Sequence, residues 1–128
     1  MIGFVVVSHS EPLAAAAVDL AMQMIHGEAP PVRVAAGADG GFGTDAVAIA
    51  AAIDELAGTD GVLILTDLGS ANMTVEAVVD FLEPEDAAHV RFCDGPLVEG
   101  AVAAAVTAQV GGDLDAVQAA ARARELFG

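Results

Sequence analysis

A histidine between two serines directly follows the first apolar run of the chain. The run Gly3–Val7 is short and rich in β-branched residues, and it stops at Ser8-His9-Ser10. Such a run is typical of a buried parallel strand. Open α/β sheets bind their ligands at the carboxyl ends of their strands, so His9 is expected at a ligand-binding edge. A histidine is largely neutral in the cell and has a ring nitrogen available to attack phosphorus. We therefore predict that His9 is a nucleophile that carries a phosphoryl group.

Asp67 is the candidate partner of this histidine. It follows another apolar run, Gly61–Thr66, which predicts a strand close to the first. A carboxylate at that place could accept a hydrogen bond from one ring N–H of His9 and so fix the tautomer. The alternative interpretation is that His9 is an ordinary polar loop residue and that Asp67 is only the turn residue before Gly69.

A bound phosphoryl group needs hydrogen-bond donors, and the chain contains no lysine to supply them. We expect the donors to be the hydroxyls of Ser10, Thr44 and Ser70, together with backbone N–H groups at helix amino termini. Thr44 could equally be a helix cap. The glycine-rich segment Gly37–Gly43 is predicted to be a flexible loop, because it lacks both the spacing and the lysine of a P-loop.

The remaining histidines and the single cysteine form no recognisable site. His26 and His89 lie beside a predicted helix end and a predicted strand start, and both are expected in solvent. Their spacing relative to Cys93 matches no metal site. Cys93 itself is expected to be a small buried residue. We therefore predict neither a metal nor a cofactor.

Apolar periodicity predicts strands that alternate with helices. The predicted strands are Ile2–Val7, Val32–Ala35, Gly61–Thr66 and Val90–Cys93. The predicted helices are Leu13–Ile25, one after Thr44-Asp45, one after Gly69-Ser70, Leu97–Val110, and a last one that runs to about Leu126. In the second helix, the residues expected to face inward are Ala46, Ile49, Ala50, Ile53 and Leu56. The alternation predicts one doubly wound α/β domain over 1–128, in which helices cover both faces of a parallel sheet.

The charge of the chain restricts its partners. It has 19 acidic residues against four basic ones, a net charge of −15. This charge argues against binding to nucleic acid and to anionic membranes. The acidity fits either adaptation to a salty cytoplasm or the steering of a basic protein partner. With one cysteine, no signal pattern and no apolar segment of about 18 residues, we expect a cytoplasmic protein.

Four motifs together resemble a known family. They occur in the expected order as Val7-Ser8-His9-Ser10, Gly43-Thr44-Asp45, Asp67-Leu68-Gly69-Ser70-Ala71 and Pro96-Leu97-Val98-Glu99-Gly100. They are similar to the motifs of DhaM, the family of phosphotransfer subunits of phosphoenolpyruvate-dependent dihydroxyacetone kinases. That family is related to the mannose-type EIIA domains. The resemblance covers nearly the whole chain, although its acidity and lack of lysine depart from typical relatives.

The resemblance implies a sheet of strand order 2-1-3-4 and a homodimer. It implies that His9 accepts a phosphoryl group from HPr and passes it to ADP bound to DhaL, whose ATP then phosphorylates dihydroxyacetone on DhaK. The chain would thus be a phosphotransferase subunit. Asp67 matches the position expected to assist His9, and Thr44 and Ser70 match the neighbourhood that would contact the phosphoryl group.

Two alternatives remain open from the sequence. The first is a mannose-type EIIA domain that serves a sugar transporter. The second is a non-catalytic flavodoxin-like signalling module, such as a receiver domain phosphorylated on Asp67. A receiver domain would need an acidic pair near the end of the first strand and a suitably placed lysine, and the sequence has neither.

Overall fold

A computed structural model describes residues 1–37 and 44–122. Along these ranges the chain alternates strands and helices. The elements are β1 (Gly3–Ser8), α1 (Glu11–Gln23), β2 (Val32–Ala36), α2 (Ala46–Glu55), β3 (Val62–Thr66), α3 (Gly69–Asp80), α4 (Pro84–Ala88), β4 (Val90–Cys93), α5 (Leu97–Gln109) and α6 (Leu114–Ala121).

The four strands form one parallel sheet in the order β2-β1-β3-β4. The central strand β1 pairs with both neighbours, so that Ser8 lies opposite Ala36 and Val7 lies opposite Thr66. Both β1 and β3 are buried along their whole length. Strands of a parallel sheet are buried on both faces, which is why these two read as continuous apolar runs. The predicted strand order 2-1-3-4 is confirmed.

Helices cover both faces of the sheet. On one face, α2 and α3 pack against the side chains of Val5 and Ile64. On the other face, α1, α5 and α6 pack against Phe4 and Leu65. Neighbouring residues of one strand point to opposite faces, so each apolar run contributes to both layers of the core. The prediction of a doubly wound α/β fold is confirmed.

Small residues form the buried faces of the helices α1 and α5. In α1 the buried residues are Ala14, Ala17 and Ala21, whereas Leu13 and Leu20 of the same helix and its cap residue Met24 are 38–50% exposed. In α5 the buried residues are Gly100, Ala101, Ala104, Ala105 and Ala108. Small side chains let the two helices lie close to the sheet and to each other.

Two details of the sequence-based fold differ from the structure. In α2 the side chains of Ile49, Ile53 and Leu56 are buried as predicted, but Ala46 and Ala50 are exposed. The short helix α4 was not predicted, because five residues without a large apolar side chain show no apolar period. The end of the predicted last helix, residues 123–128, lies outside the described residues, as does most of the predicted glycine-rich loop.

No helix in the described ranges is both long and apolar enough to span a bilayer.

Candidate functional site

The carboxyl ends of β1 and β3 lie side by side and bring His9 to Asp67. The pairing of the strands continues past the end of β3, because the backbone N–H of Asp67 donates to the carbonyl oxygen of Val7 at 3.2 Å. Ser8 and His9 then end the neighbouring strand beside the Asp67 side chain. Two residues that lie 58 positions apart in the sequence therefore meet at the edge where parallel sheets bind ligands.

Three donors hold the carboxylate of Asp67. Its Oδ2 accepts hydrogen bonds from the backbone N–H of His9 and from the hydroxyl of Ser8, both at 3.0 Å. Its Oδ1 lies 3.1 Å from Nδ1 of the His9 ring. The Asp67 side chain is only 6% exposed. These contacts leave the carboxylate a single orientation, with one oxygen turned toward the backbone and the other toward the ring.

The pKa of Asp67 follows from this environment. Burial raises the pKa of the carboxyl group, but hydrogen bonds from the His9 backbone, the His9 ring and the Ser8 hydroxyl outweigh burial. The pKa of Asp67 therefore lies below its ordinary value, because these donors favour the charged form. An ionised carboxylate can only accept hydrogen bonds. The ring of His9 must then carry its hydrogen on Nδ1, next to Oδ1.

This tautomer leaves Nε2 of His9 with its lone pair. Ser70 Oγ lies 2.8 Å from Nε2, and its hydroxyl donates to that lone pair. The His9 side chain is 25% exposed, so Nε2 sits at an accessible edge and not in the core. Asp67, the ring and Ser70 form one hydrogen-bonded line. Its geometry makes Nε2 the nitrogen that can act as a nucleophile.

The amino terminus of α3 lies beside the same ring, because Ser70 is in its first turn. Its cap residue, Leu68, makes no side-chain capping bond to any residue that the structure describes. A Cβ atom added at Gly69 would meet no described atom within 4 Å, so there is space at this helix end. Unpaired N–H groups and the positive end of the helix dipole favour an anion here.

Two further predicted contacts, Ser10 and Thr44, make no hydrogen bond to the ring in the described structure. Ser10 is the cap of α1, and its Oγ accepts from the backbone N–H of Leu13 at 3.4 Å. Thr44 Oγ1 lies 2.9 Å from Thr74 Oγ1, one turn of α3 beyond Ser70. The roles of Ser10 and Thr44 at a phosphoryl group remain predictions.

The cap of α2 is Asp45 and not Thr44. Asp45 Oδ1 accepts from the backbone N–H of Val47 at 2.9 Å, and the Thr44 hydroxyl turns instead to the neighbouring helix. Aspartate is among the preferred cap residues because its carboxylate also meets the positive end of the helix dipole.

Sequence reasoning missed Ser8 as a site residue. The residue is completely buried, and its hydroxyl is bonded to Asp67 and to the backbone of Ser10. The signal was present: a serine that ends an apolar buried strand must find hydrogen-bond partners. Thr66 is a second such residue, since its buried hydroxyl donates to Oδ1 of Asn72 and ties β3 to α3.

The other histidines and the cysteine lie away from this site. Cys93 is buried and His26 is exposed, as predicted. The prediction for His89 was wrong: its ring is half-buried, and Nε2 has no hydrogen-bond partner in the described part of the chain. The ring fills space between α2 and α4, where a cavity of about 210 Å³ opens. Across residues 1–37 and 44–122, no three metal-binding side chains come together.

The chain is similar to known proteins over most of its length. Residues 3–118 match the EIIA-man family model, described as the PTS system fructose IIA component. The chain is 43% identical over 120 residues to the phosphoryl donor subunit DhaM of a PEP-dependent dihydroxyacetone kinase from Escherichia coli (strain K12). A similar subunit from Pantoea ananatis is also 43% identical over 120 residues. Each alignment covers 91% of this chain but 25% of the relative, so the chain spans about a quarter of their length.

Shorter proteins match from end to end. A phosphoryl donor subunit DhaM of Listeria innocua, from its PEP-dependent dihydroxyacetone kinase 2, is 31% identical over 117 residues, which is 91% of this chain and 94% of that protein. The crystal structure of the unknown function protein EF1359 superposes with a TM-score of 0.83 at 33% identity and covers 95% of this chain and 93% of that one. The resemblance inferred from the four motifs is confirmed, and the chain belongs to the EIIA-man family.

Proposed function

We propose that this chain is a phosphohistidine carrier of the phosphoenolpyruvate phosphotransferase system and the phosphoryl donor subunit of a dihydroxyacetone kinase. In this proposal His9 accepts a phosphoryl group from HPr. It then passes the group to ADP bound to a DhaL partner, while DhaK holds dihydroxyacetone. The observation that carries the proposal is the hydrogen-bonded line from Asp67 through the His9 ring to Ser70. The names of the relatives, phosphoryl donor subunits of dihydroxyacetone kinases, support the choice of kinase.

The first transfer begins at Nε2 of His9. Its lone pair attacks the phosphorus of the phosphorylated donor, and a new N–P bond forms as the bond between phosphorus and the donor breaks. The bonding electrons leave with the donor. Nδ1 keeps its hydrogen, so the phosphorylated ring gains a positive charge beside the Asp67 carboxylate, 3.1 Å away. That charge pairing stabilises the intermediate without a proton transfer.

The second transfer reverses these changes. A terminal phosphate oxygen of ADP attacks phosphorus, the N–P bond breaks, and its electrons return to Nε2. The ring becomes neutral again and keeps the tautomer that Asp67 selects. The chain is thus a carrier that is regenerated in every cycle, and the partner proteins supply donor and acceptor.

The phosphoryl group needs only weak binding between these two steps. The Ser70 hydroxyl, 2.8 Å from Nε2, would turn from the nitrogen to a phosphoryl oxygen. N–H groups at the start of α3 would supply further donors. Ser10 and Thr44 are the remaining proposed contacts. The chain has no lysine to hold the group by its charge, which favours onward transfer.

The acidity of the chain fits partners that are proteins. Glu11 and Asp45 are exposed on helices that start at the carboxyl edge of the sheet. Carboxylates there would repel a free phosphorylated metabolite but would accept a basic protein surface. We place the carrier in the cytoplasm as a homodimer that acts without a metal, a cofactor, nucleic acid or a membrane.

A mannose-type EIIA domain of a sugar transporter is the second candidate. The description of the matching family as a fructose IIA component favours it. The site chemistry would be the same, and only the acceptor would differ. The subunits named DhaM, at 31–43% identity, favour the kinase.

Labelling experiments test the site and the acceptor. Incubation with phosphoenolpyruvate, enzyme I and HPr should place on the chain a phosphoryl label that survives base and is lost in acid, as phosphohistidine is. His9→Ala should take no label, whereas His26→Ala, with an exposed histidine, should take a full one. A base-labile label that depends on Asp67 would instead indicate an acyl phosphate. Discharge by ADP-loaded DhaL, but not by a sugar transporter subunit, would distinguish the two acceptors.

A further inference from the structure

Ser8 has the most enclosed hydroxyl around His9. It is the only polar residue of β1, and the side chain is completely buried. Its Oγ lies 3.0 Å from Oδ2 of Asp67 and 2.9 Å from the carbonyl oxygen of Ser10, and it accepts the backbone N–H of Ser10 at 3.0 Å. One hydroxyl therefore joins the end of β1, the cap of α1 and the carboxylate at the end of β3.

The hydroxyl has one hydrogen for two possible acceptors. The carbonyl oxygen of Ser10 already accepts the backbone N–H of Ala14 at 3.1 Å, the first hydrogen bond of α1. Oδ2 of Asp67 belongs to a buried anion, and hydrogen bonds to an ionised acceptor are the stronger ones. The hydrogen of Ser8 is therefore directed at Asp67.

This bond decides which oxygen of Asp67 faces the histidine ring. Oδ2 is occupied by the Ser8 hydroxyl and by the backbone N–H of His9. Oδ1 is then the oxygen that remains for Nδ1 of the ring. Ser8 also bonds the backbone of Ser10, so the same hydroxyl bridges the residues on either side of His9. Both the loop that carries the ring and the acceptor that orients it depend on Ser8.

We propose that Ser8 is a positioning residue for phosphoryl transfer at His9. Its hydroxyl holds the Asp67 carboxylate so that Oδ1 binds the Nδ1 hydrogen and Nε2 keeps its lone pair. Without this hydroxyl the carboxylate can rotate away, and the ring returns toward the Nε2–H tautomer that histidine favours in water. That tautomer has no lone pair at the attacking position. The effect on transfer rests on the proposed function, whereas the effect on the tautomer does not.

Two measurements on Ser8→Ala test the inference. Nitrogen NMR of the His9 ring should report a larger share of the Nε2–H tautomer than in the wild-type protein. Phosphorylation by HPr should slow by about 10-fold to 100-fold, the range expected for a lost hydrogen bond to a charged group. The matched control is Thr59→Ala. This variant loses a hydroxyl that lies before β3 and has two backbone acceptors, the carbonyl oxygens of Leu56 and Gly61. The tautomer ratio of His9 in Thr59→Ala should match that of the wild type.

The tautomer ratio of the His9 ring distinguishes a positioning role of Ser8 from a structural one. A Ser8→Ala protein that folds and keeps the wild-type tautomer ratio would overturn the inference, whatever its stability. If Ser8→Ala does not fold, Ser8→Cys replaces it, because a thiol occupies a similar position but is a weak donor. The tautomer should then shift in the same direction. If the wild-type chain took no label from HPr, the proposed function would fail, and the tautomer result would still decide the role of Ser8.

Discussion

Nδ1 of His9 lies 3.1 Å from Oδ1 of Asp67, although the two residues belong to different strands and are 58 positions apart. The contact exists because β1 and β3 are neighbours in the sheet and end at the same edge. The carboxylate selects the ring tautomer, and this tautomer leaves the lone pair on Nε2, the proposed nucleophile. Substitutions of His9, Asp67 and Ser70 separate the contributions of the ring, the carboxylate and the serine on the far side of the ring.

Asp67→Asn should slow phosphoryl transfer far more than it weakens partner binding. The amide keeps the shape of the side chain but loses the charge that stabilises a phosphorylated ring, and its NH₂ group can face Nδ1. We expect about a 100-fold loss of rate or more, as for other groups that act on proton placement. Rapid-quench measurement of phospho-His9 formation gives the rate, and titration with HPr gives the affinity. Equal losses of rate and affinity would contradict this role for Asp67.

The same substitution should alter how stability depends on pH. The pKa of Asp67 is lowered in the folded chain, so its ionisation stabilises the fold above the pKa of the unfolded chain, about 3.9. That contribution is lost as the pH falls through the lower folded-state pKa. The difference in free energy of unfolding between wild type and Asp67→Asn should thus be constant near neutral pH and should shrink below about pH 4. Urea denaturation of both proteins near neutral pH and below about pH 4 measures this difference. A difference that grew in acid would contradict a lowered pKa of Asp67.

His9→Ala should leave a folded domain that cannot relay phosphoryl groups. The ring lies at the rim of the sheet, 25% exposed, and Asp67 keeps its bonds to Ser8 and to the backbone of residue 9. We expect the free energy of unfolding to change by about 1 kcal/mol. Denaturant titration gives the value. A loss of several kcal/mol would mean that the ring is part of the core.

The sequence was sufficient to predict the sheet and the pair His9 and Asp67. Both residues end continuous apolar runs, and such runs are buried central strands whose ends converge at one edge. The sequence could not place Ser8, because the direction of a buried hydroxyl depends on tertiary geometry. The partner of Thr44 was equally hidden. It depends on how α2 and α3 are offset along their axes, which no local pattern records.

Packing decides which apolar residues of a helix are buried. In α1 the buried residues are alanines, and the larger Leu20 on the same helix is 38% exposed. Apolar period identifies a helix but does not say which of two apolar stripes is buried.

Gly100→Ala tests the close packing of α5 against α6. A Cβ atom at Gly100 would lie 2.9 Å from the backbone oxygen of Ala121, and this oxygen cannot move like the end of a flexible side chain. We expect the free energy of unfolding to fall by about 1–3 kcal/mol, as for other overpacked positions. Gly69→Ala is the matched control, since the added methyl meets no described atom within 4 Å. Similar unfolding free energies for the two variants would contradict the close approach.

Ser70→Ala should separate the binding of the phosphoryl group from the selection of the tautomer. Ser70 contacts Nε2, on the side of the ring away from Asp67, so its loss leaves the bond between Nδ1 and Oδ1 intact. We expect the tautomer ratio to stay at the wild-type value.

The rate of transfer from HPr should nevertheless fall by about 10-fold, because the phosphoryl oxygens lose a hydroxyl donor. Nitrogen NMR and rapid-quench labelling on the same sample measure both quantities. Asp67→Asn is the opposite case, in which tautomer and rate change together. A tautomer shift in Ser70→Ala as large as that in Asp67→Asn would mean that the hydroxyl orients the ring and does not bind the phosphoryl group. Ser8 and Ser70 would then share one role.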